Sequence, residues 1–405
     1  MAEDLTLWLD GVPVAVVEAE RRRLRLSYTD EARAAHPPGT PLLSLALPVS
    51  AQSYGTLATR TFLDGLLPEG EPRRAVAERL RLRADDTIGL IAALGRDCAG
   101  AVVIQPSAAP PPTQSGSHEP LDEAALARLL AGLRSAPLGA EGRVRVSLGG
   151  AQEKLVLART LDGRWARPLD GAPSTHILKP EVRGLPGTVA NEAFALRLAL
   201  HLGVPAAPVQ VIEIEGRPVL VVTRYDRRVD ESGTVSRLHQ EDVAQALGVP
   251  PERKYEADGG PRLRDVASLL AALEPADLVT LVRYLVVNVL VGNGDAHAKN
   301  YSLVHEPGGA VRLAPLYDVL STLALDDRHL AMRVDGVERT DRVTRAHLLG
   351  EVVGWGVARR AAEETLDTLL ERLAEASSRA REEVPGVPAE VLEVLDAQRS
   401  RLETA

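Results

Sequence analysis

The sequence predicts a mixed α+β chain in which a β-containing first part precedes a largely α-helical second part. Three patterns carry that expectation. Residues 5–26 alternate apolar and polar side chains around Asp10-Gly11, as a β-hairpin does. Short strand and helix patterns then interleave as far as about residue 239. From about Gln240 onward, apolar residues recur at helical spacing.

After the hairpin, helical patterns fall at 62–68, 72–82 and Thr87–Leu94, and 101–104 reads as a strand. Residues 1–105 are therefore an expected N-terminal β-rich subdomain. Residues 106–120 are rich in Pro, Ser and Gly and read as a linker or mobile loop. Residues 121–239 form an expected mixed α/β lobe. It has a helix at 121–133, strands at 144–147, 155–158 and 176–178, a helix at 189–202, and strands at Val209–Ile214 and 218–223. Residues 240–405 form the helical lobe, with short strands at Ser302–His305 and Val311–Leu313 and amphipathic helices at 359–373 and 388–402. A β-containing lobe followed by a helical one suits a cleft enzyme.

Composition excludes several classes. The 405 residues are 45% hydrophobic and 25% charged, ordinary for a globular protein, while aromatics make up only 3%. One cysteine, Cys98, rules out a disulfide framework within the chain and fits a reducing compartment. The N-terminus lacks the basic start and apolar run of a secretory signal, so a cytoplasmic location is expected. The most apolar run, 278–291, is short for a bilayer and contains Arg283 and Asn288, so it reads as a buried helix and no membrane association is expected. A net charge of −9 argues against extensive nucleic-acid binding by this chain alone. Lysine occurs only at positions 154, 179, 254 and 299 among 47 basic residues. Where arginine serves almost everywhere else, a lysine points to a need for a compact ammonium.

The chemistry-bearing segments begin with Gly292-Asn-Gly-Asp-Ala-His-Ala-Lys-Asn300, followed by Leu316-Tyr-Asp318. Asp295 and Asn300 have the Asp-to-Asn spacing of a protein-kinase catalytic loop. Asp295 can orient a hydroxyl and take its proton, Asn300 and Asp318 supply oxygen ligands for magnesium, and Lys299 can steady phosphoryl charge. His297 has no companion at zinc spacing. Upstream, Gly149 and Gly150 lie in a turn before Lys154, where backbone N–H groups can cradle phosphate. An ordinary hairpin turn is the alternative there. Lys179 ends a short apolar strand and can reach phosphate, or can be a solvated strand-end lysine. Glu192 can pair with Lys179 or simply favour a helix dipole. Val221 to Arg228 runs from a strand into a charged turn, where a two-lobed kinase passes between lobes. Three of the four lysines thus fall in the expected nucleotide site, with Lys254 placed elsewhere.

Taken together, Ser147-Leu-Gly-Gly-Ala-Gln-Glu-Lys154, Thr175-His-Ile-Leu-Lys179, Asn191-Glu192, Tyr225-Asp-Arg227, His239-Gln-Glu-Asp242, Gly294 to Asn300 and Leu316-Tyr-Asp318 closely resemble the HipA family. These are serine/threonine kinases acting as toxins of bacterial type II toxin–antitoxin pairs, and the resemblance runs from about residue 1 to 400. It implies a two-lobed, protein-kinase-like α+β fold that uses ATP and Mg2+. By position, Gly149, Gly150, Ala151, Gln152, Glu153 and Lys154 look like the phosphate-binding loop, and Lys179 like the nucleotide lysine. Thr223, Arg224 and Tyr225 resemble the adenine-contacting hinge, and His297 to Asn300 lie near the nucleotide in such kinases. Asp295 resembles the catalytic aspartate, and Asn300 with Asp318 the magnesium ligands. Ser147 matches a serine whose autophosphorylation ejects the loop and switches the enzyme off. Thr223 departs from the pattern, since an acidic residue is expected there, and Leu148-Gly-Gly150 is more glycine-rich than usual. The resemblance implies a protein substrate, a small helix-turn-helix antitoxin, and operator DNA reached through that antitoxin. The family's best-known target is a glutamyl-type aminoacyl-tRNA synthetase, but members differ, so only the class of protein serine/threonine carries over. A nucleotide-binding corepressor with little turnover and a small-molecule kinase are the competing readings.

Overall fold

A computed structural model of the chain describes residues 4–20, 23–112, 116–134, 136–138, 142–150 and 152–404. Ala151 lies outside the described residues. The chain divides into two compact units. The first comprises Met1–Pro180, Ile214–Arg217 and Arg224–Pro251, and the second Glu181–Glu213, Pro218–Thr223 and Glu252–Ala405.

In the first unit, Leu5–Leu9 and Val12–Glu20 pair antiparallel across Asp10-Gly11. Asp10 and Gly11 have φ of 48° and 79°, the two positive values that a tight right-twisting hairpin turn demands. Arg23–Tyr28 and Val103–Pro106 complete a four-stranded sheet. Its apolar face, including Leu5, Leu7, Val17 and Leu26, packs with Phe62, Leu63, Val76, Leu90 and Ile91 from three helices. Those helices are Thr56–Gly65, Gly70–Arg79 and Thr87–Leu94. The first begins earlier than the apolar run at 62–68 suggests, because Leu66 and Leu67 are buried in the turn after the helix rather than within it. Asp86 caps the third by accepting from the Gly89 N–H.

A second sheet in this unit runs antiparallel from His176–Pro180 through Leu155–Arg159 and Trp165–Leu169 to Ser117–Pro120. The stretch read as a linker over 106–120 therefore ends in a strand. Ser117–Pro120 is exposed along its whole length, so it has no apolar face to betray it in the sequence. Residues 113–115 of that stretch lie outside the described residues. A two-residue parallel pair, Asp97–Cys98 with Val146–Ser147, ties the root of the glycine-containing turn to the N-terminal region.

The second unit is built on the helix Asp277–Val291, buried on nearly every side, as its continuous apolar sequence predicts. Leu263–Leu273, Arg345–Gly354, Arg359–Glu383 and Ala389–Glu403 pack against it. Among the described residues, no helix is long and apolar enough to cross a membrane. Two short hairpins, Ser302–His305 with Val311–Leu313 and His329–Val334 with Val337–Arg339, flank the loop that follows the central helix.

Candidate active site

The central helix of the second unit ends at Gly292, whose φ of 71° is left-handed and whose close neighbour, the Val394 side chain, leaves 2.6 Å for any added Cβ. Asn293 then turns back on the helix. Its N–H donates to the Asn288 carbonyl at 2.8 Å and its Nδ2 to Asn288 Oδ1 at 2.8 Å. Its own Oδ1 accepts from the Asp295 N–H at 3.1 Å. Gly294 donates its N–H to Thr322 Oγ1 at 2.8 Å, and a Cβ there would stand 2.1 Å from the His329 carbonyl oxygen. Only glycine passes this point without moving backbone. The chain reaches Asp295 already fixed, bends through His297 N–H to the Asp295 carbonyl at 2.7 Å, and enters a short 3-10 turn, Ala298–Asn300.

Asn300 donates from Nδ2 to Asp318 Oδ2 at 3.0 Å. The carboxylate accepts only, so it fixes which end of the amide faces it and turns Asn300 Oδ1 away. That Oδ1 is buried and, among the described residues, has no hydrogen-bond partner. Asp318 itself has a left-handed backbone, φ 57°, a strain concentrated at functional sites. The neighbouring Tyr317 hydroxyl donates to the Lys299 carbonyl at 2.6 Å and lies 2.7 Å from Ser302 Oγ. Lys299 is itself buried. The Asp318 carboxylate and the unsatisfied amide oxygen of its partner Asn300 are hard oxygen donors of the kind a divalent cation takes. Magnesium is commonly held by one or two protein carboxylates, with phosphate oxygens and water filling the rest.

Around Asp295 the structure brings in two residues that the sequence reading missed. The Tyr255 hydroxyl donates to Asp295 Oδ1 at 3.0 Å, and its ring meets His297 edge-on at 5.2 Å. Lys254 Nζ lies 5.4 Å from the centre of the Tyr255 ring, and its carbonyl accepts from the Ala298 N–H at 3.3 Å. Lys254 was expected to lie elsewhere; it belongs to this loop, as Lys299 does. Forty positions separate Tyr255 from Asp295, so no local spacing connects them, and the scarcity of lysine was the one available signal. Asp295 keeps a side open to solvent. Even so, partial burial holds its carboxyl above the ordinary aspartate range, the Tyr255 hydrogen bond opposes that, and the Asp318 charge adds to it.

In the first unit, the glycine-containing turn is anchored at both ends. Ser147 is fully buried, and its Oγ donates to the Leu66 carbonyl at 2.7 Å. Gly150, at φ +101°, accepts at its carbonyl from the Glu69 N–H at 3.1 Å. Lys154 Nζ donates to the Gly149 carbonyl at 2.7 Å, while Gln152 is half-buried and Glu153 exposed. Lys179 is buried, which excludes the solvated strand-end lysine. Glu192 is likewise buried, in the helix Thr188–His201 of the second unit.

The segment expected to act as hinge is more committed than its sequence suggests. The Thr223 N–H donates to the Pro208 carbonyl and the Arg224 N–H to the Thr175 carbonyl, at 2.9 and 3.0 Å. The Arg224 side chain is buried and forks onto Asp226 at 2.9 and 2.7 Å. The Tyr225 hydroxyl donates to Gln240 Oε1 at 2.6 Å. Neither of the first two N–H groups is left to offer a ligand.

Comparison with known proteins meets this geometry from outside. The sequence family described as the HipA N-terminal domain matches residues 5–105, and the HipA-like C-terminal domain matches residues 146–377. The chain is 41% identical over 359 residues to "Putative kinase Y4mE" of Sinorhizobium fredii, across 84% of this chain and 83% of that one. It is 30% identical over 335 residues to the "Serine/threonine-protein kinase toxin HipA" of Shewanella oneidensis, across 78% and 75% of the two chains. In a solved structure of Shewanella oneidensis HipA with HipB and its operator DNA, one chain superposes with a TM-score of 0.84 at 26% identity, covering 98% of this chain and 95% of that one. Both halves are matched in order and the whole mixed α+β fold superposes, so this chain belongs to the HipA family and has its two-lobed, kinase-like fold.

Proposed function

We propose that this chain is a HipA-type protein serine/threonine kinase that moves the γ-phosphoryl group of ATP to a hydroxyl of a target protein. The observation that carries the reading is Asn300, on the same short loop as Asp295, paired with Asp318 and left with one amide oxygen unsatisfied among the described residues. Asp295 accepts the proton of the attacking hydroxyl as its oxygen bonds phosphorus and the bridging P–O bond of ATP breaks. Its raised pKa makes it a stronger base than a surface aspartate. Magnesium held by Asn300 and Asp318 would neutralise charge on the nucleotide phosphates. Lys299 adds positive charge beside them, and His297 borders the nucleotide. Lys179 and the turn Gly149, Gly150, Ala151, Gln152, Glu153, Lys154 take the phosphates, and the Thr223–Tyr225 segment borders the base.

Ser147 serves as the off-switch. Its hydroxyl has no room for a phosphoryl group while buried against the Leu66 carbonyl. A modification adding nearly two negative charges therefore forces the turn out of this position. The partner is a small helix-turn-helix antitoxin, through which a chain of net charge −9 reaches operator DNA. The target is a protein serine or threonine, with an aminoacyl-tRNA synthetase the first candidate.

Incubation of the dephosphorylated chain with γ-labelled ATP and Mg2+ tests this. Label is expected on Ser147, and Asp295→Asn is expected to slow its appearance by about 10²–10⁴-fold. ATP binding without transfer would favour a corepressor. Transfer to a metabolite but never to protein would favour a small-molecule kinase.

A further inference from the structure

We infer that Tyr255 is a positioning residue for phosphoryl transfer, its phenol holding the Asp295 carboxylate in the orientation that receives the proton. The inference rests on reading Asp295 as the base. The Tyr255 hydroxyl donates to Oδ1 at 3.0 Å, which leaves Oδ2 for the incoming hydroxyl. The terminal torsion of an aspartate is broad and roughly two-fold. A single well-placed donor on one oxygen therefore fixes how the other faces the incoming hydroxyl.

Such a donor is useful only if it is itself fixed, and Tyr255 is held from several sides. Its carbonyl accepts from the N–H groups of Asp258 and Gly260, at 3.1 and 2.9 Å. Gly260 makes that turn possible, because a Cβ there would stand 2.0 Å from the Arg253 carbonyl oxygen. On one side of Tyr255, the Lys254 carbonyl takes the Ala298 N–H from the loop that carries Asp295. On the other, Glu256 Oε2 takes the Arg333 N–H at 2.8 Å, from the hairpin His329–Val334. The ring edge against His297 sets its tilt. The Lys254 ammonium, 5.4 Å from the ring centre, adds a cation–π contact and a positive potential that strengthens the phenol as a donor. The segment is thus a strap fastened on either side of Tyr255, at Lys254 and Glu256, with one hydroxyl delivered to the base.

Three variants separate this role from simple ring packing. Tyr255→Phe keeps the ring and removes only the hydroxyl, Tyr255→Ala removes both, and Asp295→Asn reports on the base. The rate constant for label incorporation into the dephosphorylated chain is measured against ATP concentration. Tyr255→Phe is expected to lower the rate at saturating ATP roughly ten- to hundredfold, the scale of one hydrogen bond to a charged group. The ATP concentration giving half the maximal rate is expected to change less than about twofold, since the substitution keeps the ring edge against His297 and removes only the hydroxyl that meets the base. A Tyr255→Phe rate equal to wild type, with Tyr255→Ala slow, would reduce Tyr255 to packing and overturn the inference alone. An Asp295→Asn variant as fast as wild type would overturn the base, and this inference with it.

Discussion

Asp97 in the first unit and Asp295 in the second are both aspartates partly or wholly withdrawn from water, yet their surroundings follow opposite principles. Asp97 accepts from the Ser174 N–H and Oγ at 3.0 and 2.5 Å and from Arg227 at 2.9 Å, with Arg224 and Arg237 at 3.7 and 3.5 Å. Asp226 beside it is forked by Arg224, lies 3.0 Å from Arg227 and takes the Gly100 N–H at 2.7 Å. Burial alone would raise both carboxyls; the facing guanidinium groups outweigh it and hold both below the ordinary range. Among the described residues, Asp295 receives one neutral phenol and is pushed the other way, and Asn300 Oδ1 nearby receives nothing. Saturated charges fix the backbone. Charges left short of partners keep their capacity for a ligand or a proton.

The first cluster also explains why saturation matters there. Asp97 donates its N–H to the Arg145 carbonyl at 2.9 Å, and Asp97–Cys98 pairs with Val146–Ser147. The Cys98 carbonyl accepts from both Arg224 and Arg227 at 2.9 Å. Residues from positions 97–100, 174 and 224–237 are thus welded to the strand from which the Ser147 turn leaves. The largest expected effect in the molecule follows. Asp97→Asn removes one carboxylate from a set with three arginines, and breaking such a buried set costs about 3–5 kcal/mol, read as a fall in the urea midpoint. The sign of its pH dependence is fixed by the depressed pKa. The stabilisation is present above the ordinary aspartate value and lost as pH falls through the lower folded value. The gap between wild type and Asp97→Asn is therefore full near neutrality and narrows below about pH 4. A gap under about 1 kcal/mol, the range of an exposed pair, would break the contrast with Asp295.

A smaller effect is expected at Asp318. Asn tolerates a left-handed backbone nearly as well as Asp, so Asp318→Asn leaves the φ of 57° in place and removes charge alone. The Mg2+ concentration for half-maximal phosphoryl transfer is expected to rise at least about tenfold, with the urea midpoint of the metal-free chain unchanged. A fall in that midpoint as large as that of Asp97→Asn would move Asp318 from the ligand-holding class into the structural one.

The contrast also marks what the sequence could say. The loop from Gly292 to Asn300 and its partner Asp318 were legible because their chemistry is local, with fixed spacing and a glycine at each tight point. The first hairpin was legible for the same reason, through Asp10-Gly11 and strict alternation. The Asp97 cluster was not, because its arginines stand 126 or more positions away. Arg224, read as part of the hinge segment, spends its guanidinium inside the fold. Tyr255 was missed through distance in sequence alone. The strand Trp165–Leu169 was missed because Pro168 interrupts its pattern, a residue that argues against a central strand. Burial removes the solvated strand-end reading of Lys179, while for Glu192 it does not separate pairing with Lys179 from favouring the helix dipole.

The smallest predicted effect tests the contrast most directly, because it has the opposite sign. The Asp295 carboxyl is raised in the folded chain, so the folded state binds its proton more readily than the unfolded state does. Its contribution is most favourable below the unfolded value and is lost as pH rises through the folded one. Near neutrality the charged carboxylate is a small liability. Asp295→Asn keeps an oxygen that can accept from Tyr255 and discards the charge, so thermal unfolding near pH 7 is expected at slightly higher temperature. Its open side lets water screen the charge, which holds the gain under about 1 kcal/mol. As pH falls through about 4 and below, where the carboxyl becomes protonated in the unfolded state as well, the gain disappears. A variant that loses stability at neutral pH would place Asp295 with Asp97, among the charges that build the fold.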